Sequence, residues 1–200
     1  MRTIGVVGPT GAGKSVVLRM LAALGAVTIE ADDLSRELLR PRAPLTERLR
    51  AEFGDEYLRH DGSLKRSELV ALIFSDEDAR IRLNAIMYPA MVELLALRLA
   101  ALRASEPPPA LVAVEAANLL EMGADRCVDA IVLVDADPVM RRRRLQERDG
   151  LSAEAAQERI DAQSAAGLDH PEADFSIHND GEEGPLRAQV EEFFRHLVAG

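Results

Sequence analysis

The chain has 200 residues, 48% of them hydrophobic and 29% charged, with a net charge of −10. That length suits one domain with a sizeable core and room for a small inserted subdomain, and the proportions are ordinary for a soluble globular protein. The acidic balance argues against a nucleic-acid partner or an anionic membrane, which call for basic surfaces, so a polyanionic ligand must be met by locally gathered arginine and Mg2+.

In chain order, Thr3–Val7 reads as a buried strand and Ser15–Leu24 as the helix that follows it. Between them Gly8-Pro9-Thr10-Gly11-Ala12-Gly13-Lys14-Ser15 completes a phosphate-binding pattern. Gly8, Gly11 and Gly13 let the main-chain N–H groups of the loop, with those of Ala12 and Val16, close around phosphate oxygens. Ser15 offers a hydroxyl to Mg2+. Lys14 is one of only two lysines among 24 basic residues, Lys65 being the other. A chain that elsewhere uses arginine has placed a compact ammonium where β/γ-phosphates need a point charge. The loop predicts nucleoside triphosphate binding with a catalytic Lys14. The opening apolar run breaks at Gly8-Pro9, so no secretion signal is expected.

A second strand spans Val27–Glu30, and Glu30-Ala31-Asp32 ends it at the edge where open α/β sheets bind ligands. Asp32 has two readings. It suits an acid that orients an acceptor hydroxyl, and equally an N-cap on a helix beginning near Asp33. No strand pattern follows until residue 110; Asp33–Leu39, Leu45–Phe53, Arg66–Phe74, Asp76–Met87 and Pro89–Arg103 read as helices. Pro41, Pro44, Asp61-Gly62 and Pro107-Pro108-Pro109 punctuate them. Such a stretch inside a sheet reads as an inserted helical substrate domain. Its most apolar part, Met91–Leu102, carries Glu93 and Arg98 and is too short to span a bilayer, which leads to the expectation of a cytoplasmic protein with no membrane partner.

Strands return at Ala110–Glu115, Ala130–Asp135 and Phe175–His178. Near-continuous apolar runs such as Ile131-Val132-Leu133-Val134 suit a parallel sheet buried on both faces. Glu115 ends its strand where a carboxylate for Mg2+-bound water is expected. The lone Cys127 excludes an internal disulfide and fits a reducing compartment. Arg141-Arg142-Arg143-Arg144 follows the fourth strand, and Arg141, Arg144 and Arg148 align at i, i+3 and i+7 on a helix. This stripe reads either as a solvated face or as a lid closing over the triphosphate, with Arg144 and Arg148 the favoured contacts. His60, His170, His178 and His196 lack metal-ligand spacing. Tyr57, Tyr88 and the five phenylalanines read as core, without the basic interleaving that single-stranded nucleic acid requires. Leu186, Val190, Phe193 and Leu197 mark a closing helix with Pro185 near its start. The fold class is α/β: a P-loop NTPase-type parallel sheet flanked by helices, with an inserted helical substrate-binding domain and a helical lid.

With these residues in place, the chain resembles the dephospho-CoA kinase family nearly end to end. The likeness joins the phosphate loop to Leu24-Gly25-Ala26, Ile29-Glu30-Ala31-Asp32 with Arg36, Phe53-Gly54 and Asp61-Gly62-Ser63-Leu64-Lys65-Arg66. It continues through Leu69, Ile73-Phe74, Pro89, Leu119-Leu120-Glu121, Arg144, Arg148-Asp149, Arg159-Ile160 with Gln163, Ala173-Asp174, and Ile177 with Asn179 and Gly181. The resemblance implies transfer of the γ-phosphate of ATP to the ribose 3′-hydroxyl of dephospho-CoA, giving CoA and ADP in the last step of coenzyme A synthesis. It implies that Asp32 accepts the hydroxyl proton and that Asp32, Arg36, Arg66 and Glu121 meet the acceptor. Asn179 to Gly181 fall where the family cradles adenine. It also implies a core of residues 1–32 and 108–200, a CoA-binding insertion at 33–107 and a lid at 138–166. The expected oligomeric state is a monomer or weak homo-oligomer. The chain departs from the family pattern at Val16, Glu30, Tyr88, Ala117-Asn118 and Asp169. Two rivals are another P-loop small-molecule kinase and an ATP-binding homologue without turnover. A guanine-specific switch lacks its Asn-Lys-x-Asp element here.

Overall fold

The computed structural model describes residues 1–165 and 172–199, which leaves Asp169 and His170 outside the described residues. Five strands form one parallel sheet: β1 (Arg2–Val7), β2 (Val27–Glu30), β3 (Leu111–Glu115), β4 (Ala130–Asp135) and β5 (Phe175–His178), in the order β2-β3-β1-β4-β5. Ile4, Val6, Leu111 to Val114, Val132 and Val134 are all buried, as a parallel sheet covered on both faces demands. The register sets Val6 opposite Glu115 and Val132, and Glu30 opposite Glu115. The carboxyl ends of the central strands therefore share one edge, and the phosphate loop leaves β1 there. Helices α1 (Lys14–Ala23) and α8 (Glu183–Ala199) bring Val17, Leu18, Leu21, Leu186, Val190 and Leu197 to the core of this sheet.

After β4 come α6 (Pro138–Asp149) and α7 (Ala153–Ala165). Asp137 caps α6 by accepting from the Val139 N–H at 2.8 Å, Pro138 fills the first turn, and Gly150 ends the helix at φ 66. The pair has a small core of its own in Leu145, Ala156 and Ile160.

The chain forms two compact units: Met1–Glu30 with Leu102–Gly200, and Ala31–Ala101. The second holds α2 (Ala31–Leu38), α3 (Pro44–Phe53), α4 (Arg66–Ser75) and nearly all of α5 (Glu77–Arg103), with one isolated bridge between Leu58 and Leu64.

Three expectations need correction. The helices expected at Asp76–Met87 and Pro89–Arg103 are one, with Pro89 inside it. Proline removes one N–H and crowds the Ala85 carbonyl, but the stripe of Met87, Met91, Val92, Leu95 and Leu99 is buried continuously across it. Met91–Leu102 therefore belongs to a 27-residue helix that is long and apolar enough, by length and composition, to cross a membrane. That helix retains Glu93 and Arg98, and Arg98 pairs with Glu37 of α2. Phe74 is not core: it stands 85% exposed on α4, one turn after the exposed Val70.

Candidate active site

The phosphate loop is shaped by where its carbonyls go. Arg141 of α6, 3% exposed, donates from Nε to the Thr10 carbonyl at 3.0 Å. Arg144, one turn on, donates from Nη1 to the carbonyls of Gly11 and Ala12 at 3.2 Å each. The buried Asn179, just past β5, donates from Nδ2 to the Ala12 carbonyl at 2.8 Å. Arg144 Nη2 then binds Asn179 through its carbonyl at 2.9 Å and its Oδ1 at 3.0 Å. In planar trans peptides, carbonyls drawn to these side chains turn the N–H groups of Gly11 and Gly13 the opposite way, into the hollow of the loop. The close approach also explains two glycines. A Cβ on Gly11 (φ +78) would lie 2.7 Å from the Arg141 carbonyl oxygen, and one on Gly13 (φ +92) would overlap the Asn179 amide nitrogen.

Lys14 opens α1, with its Nζ 2.9 Å from the Gly8 carbonyl and 3.4 Å from that of Pro9. Glu115 Oε1 stands 3.8 Å from the same ammonium. Burial lowers the Lys14 pKa below the usual lysine value; Glu115 opposes this, while Arg148 and Arg141 add to it. Ser15, in the first turn of α1, is exposed.

Two cavities flank the loop. One of about 580 Å3 is lined by Gly13, Val16, Met20, Arg144, Asn179, Gly181 and Leu186 among others, giving apolar faces beside polar edges. The other, of about 450 Å3, is lined by Gly11, Gly13, Ser15, Arg144, Glu147 and Arg148 among others. Arg144 borders both, and burial lowers its pKa from the ordinary arginine value against the pull of Asp180 and Glu147. Arg148 is largely exposed and is tied to Asp149 at 2.6 Å, a carboxylate that also meets Arg159 at 3.1 Å. Its hydrogen bond to Arg148 holds the Asp149 carboxyl below the usual range.

The structure thus brings Gly8, Gly11, Ala12, Gly13, Lys14, Ser15, Val16, Arg144, Arg148, Asn179 and Gly181 around one loop. Glu121 is exposed in the turns after β3 of the same unit. The helical unit holds Asp32, Arg36 and Arg66. Asp32 lies exposed within the first turn of α2, which begins at Ala31, so it does not precede that helix as an N-cap. Arg36 pairs with Asp33, and Arg66 opens α4. That unit has a groove of about 1220 Å3 whose lining includes Arg42, Arg50, Arg59, His60 and Lys65, but none of Asp32, Arg36 or Arg66.

Sequence reasoning missed two loop contacts. Arg141 aligns with Arg144 and Arg148 in a stripe that the sequence leaves open as a solvated face or a lid; it is instead the most deeply buried of the four consecutive arginines and binds the main chain of the loop. The neighbouring Val139 is exposed, so the apolar residues before Arg141 gave no sign of an inward face. Gln163 of α7 accepts from the Thr10 N–H at 2.6 Å, and no spacing rule points to that contact.

A parallel sheet of this order, with a lysine-bearing phosphate loop after its central strand and arginines reaching that loop from helix α6, defines a P-loop kinase. The sequence model of the family described as dephospho-CoA kinase matches residues 2–184. The chain belongs to the dephospho-CoA kinase family. It is 40% identical to a dephospho-CoA kinase of Syntrophotalea carbinolica, over 100% of this chain and 94% of the relative. It is also 40% identical to one of Geobacter sulfurreducens, over 97% and 98%. A Thermus thermophilus crystal structure superposes with a TM-score of 0.77 at 29% identity, covering 98% of this chain and 97% of that one. Dephospho-CoA kinase from Campylobacter jejuni shares the fold, with a TM-score of 0.70 at 22% identity over 100% and 99%.

Proposed function

We propose that this protein transfers the γ-phosphate of ATP to the 3′-hydroxyl of dephospho-CoA, releasing ADP and CoA, as a cytoplasmic enzyme. The observation that carries the reading is the phosphate loop itself. Its carbonyls are tied outward by Arg141, Arg144 and Asn179, so its N–H groups are aimed for an anion before one arrives.

ATP fits these residues. A Cβ at Gly13 would fill the approach between loop and Asn179, and the 580 Å3 cavity offers Val16, Met20 and Leu186 to the faces of a purine. Lys14 holds the β/γ-phosphates as a point charge. Arg144 and Arg148 border the 450 Å3 cavity, where they face charge on the transferring group. Mg2+ fits as well, since Ser15 supplies an accessible hydroxyl and Glu115 a carboxylate near Lys14, both hard oxygen donors. When bound, the cation offsets phosphate charge.

On the acceptor side, Asp32 orients the ribose hydroxyl and takes its proton. The groove of the helical unit offers Arg42, Arg59 and Lys65, beside the carboxylates of Glu47, Asp55 and Asp61, to an acceptor that itself carries phosphate. Arg36, Arg66 and Glu121 complete the acceptor contacts that this reading carries.

The test is ADP release from ATP with dephospho-CoA, adenosine, AMP or gluconate as acceptor. Dephospho-CoA should be preferred by orders of magnitude. Equal turnover with another acceptor would establish a different small-molecule kinase. Tight ATP binding without any ADP would establish a binding protein.

A further inference from the structure

We propose that Gln163 is a positioning residue that fixes the Pro9–Thr10 peptide of the phosphate loop, and through it the seat of Lys14. The inference rests on the reading of this loop as the ATP site and is indifferent to the identity of the acceptor.

Thr10 directs both of its main-chain groups to the same pair of helices. Its N–H donates to Gln163 Oε1 of α7 at 2.6 Å, and its carbonyl accepts from Arg141 Nε of α6 at 3.0 Å. Those helices are joined by the core of Leu145, Ala156 and Ile160, so they act on Thr10 as one body.

The two peptides flanking Thr10 consequently face opposite ways. Both are trans, so an N–H held outward at Thr10 turns the Pro9 carbonyl inward. There it accepts from the Ala12 N–H at 3.2 Å and stands 3.4 Å from Lys14 Nζ. A carbonyl held outward at Thr10 turns the Gly11 N–H inward. The loop therefore presents a carbonyl to its lysine and, one residue on, an amide to phosphate. Thr10 is withdrawn from the phosphate-binding set, which starts at Gly11.

An acceptor oxygen on a long stem is what this task needs. A hydroxyl on a shorter stem would not reach across from α7, and a cation has nothing to offer an N–H. Without Gln163 the Thr10 N–H loses its only described partner. The Pro9–Thr10 peptide then loses its outward anchor, which loosens the carbonyl that closes the turn beneath Lys14.

The experiment measures two quantities on Gln163→Met, which keeps the length and helix preference but lacks an oxygen. One is exchange protection of the Thr10 amide by NMR; the other is ATP affinity by calorimetry, with KM for each substrate. Protection of Thr10 should be lost and ATP binding should weaken about three- to tenfold, the size of one hydrogen bond. KM for the acceptor should stay within twofold. Gln163→Glu keeps an acceptor oxygen and should restore Thr10 protection, which a merely structural role on α7 does not require. Continued protection of Thr10 in Gln163→Met, or lost protection with unchanged ATP affinity, overturns the proposal. Failure of the wild-type protein to bind ATP would instead remove the site reading on which it rests.

Discussion

Burial works against the charge on Lys14, and the loop needs that charge. The ammonium lies among Gly8 and Pro9 carbonyls with Glu115 at 3.8 Å, yet desolvation dominates and lowers its pKa. The free protein therefore loses the Lys14 proton at a lower pH than an ordinary lysine does. Phosphate oxygens bind the protonated form. ATP affinity should thus hold steady through neutral pH and fall on the alkaline side, beginning below the usual lysine range. Calorimetric titration across that interval checks it, and Lys14→Met should bind weakly with the alkaline fall abolished. A fall that persists in Lys14→Met belongs to another group. Asp32 makes a separate demand. Its place inside the first turn of α2 leaves a carboxylate exposed rather than spent on capping. Asp32→Asn keeps the shape and removes the base, so turnover should drop by roughly a hundredfold or more while ATP affinity is spared. Turnover within a few-fold of wild type would end its assignment.

At the scale of elements, helix α6 does the aiming, and its start is set by Asp137 and Pro138. Asp137 caps the Val139 N–H, Pro138 supplies a preset φ, and Arg141 emerges one turn later facing Thr10. Asp137→Ala should cost about 1 kcal/mol of stability. It should also weaken ATP binding, because the fray lies directly ahead of Arg141 and Arg144. Denaturant unfolding and calorimetry measure the two effects; a stability loss with full ATP affinity would show that the cap does not hold the arginines. The elements were largely legible in the sequence. The strand runs Val27–Glu30, Ala130–Asp135 and Phe175–His178 are bounded as read, because Ile131 to Val134 is an uninterrupted apolar run and Phe175 and Ile177 alternate with polar residues. Pro89 misled because local propensity marks a helix boundary, whereas the apolar stripe on both sides of it continues one helix.

Over the whole molecule, the loop sequence revealed the anion cradle but not what braces it. Glycine spacing and a rare lysine are local signals, readable within eight residues. The contacts of Thr10 with Gln163 and of Ala12 with Asn179 span separations of 153 and 167 residues, and no periodicity encodes them. The order of the sheet creates these contacts by bringing the exits of β1, β4 and β5 to one edge. A ligand gripped at that edge ties three distant stretches of chain together, so its effect should be global. A ligand that binds the folded chain alone, at a hundred times its Kd, stabilises it by about 2.7 kcal/mol. For a chain of this length that corresponds to a rise of about 5–10 °C in the melting of the sheet unit. Lys14→Ala should abolish most of the rise, since the β/γ-phosphates lose their point charge while the purine cavity remains. Scanning calorimetry with and without ATP measures it. A rise of the same size in Lys14→Ala would mean that ATP is held somewhere other than the hollow bounded by Gly8 and Ser15.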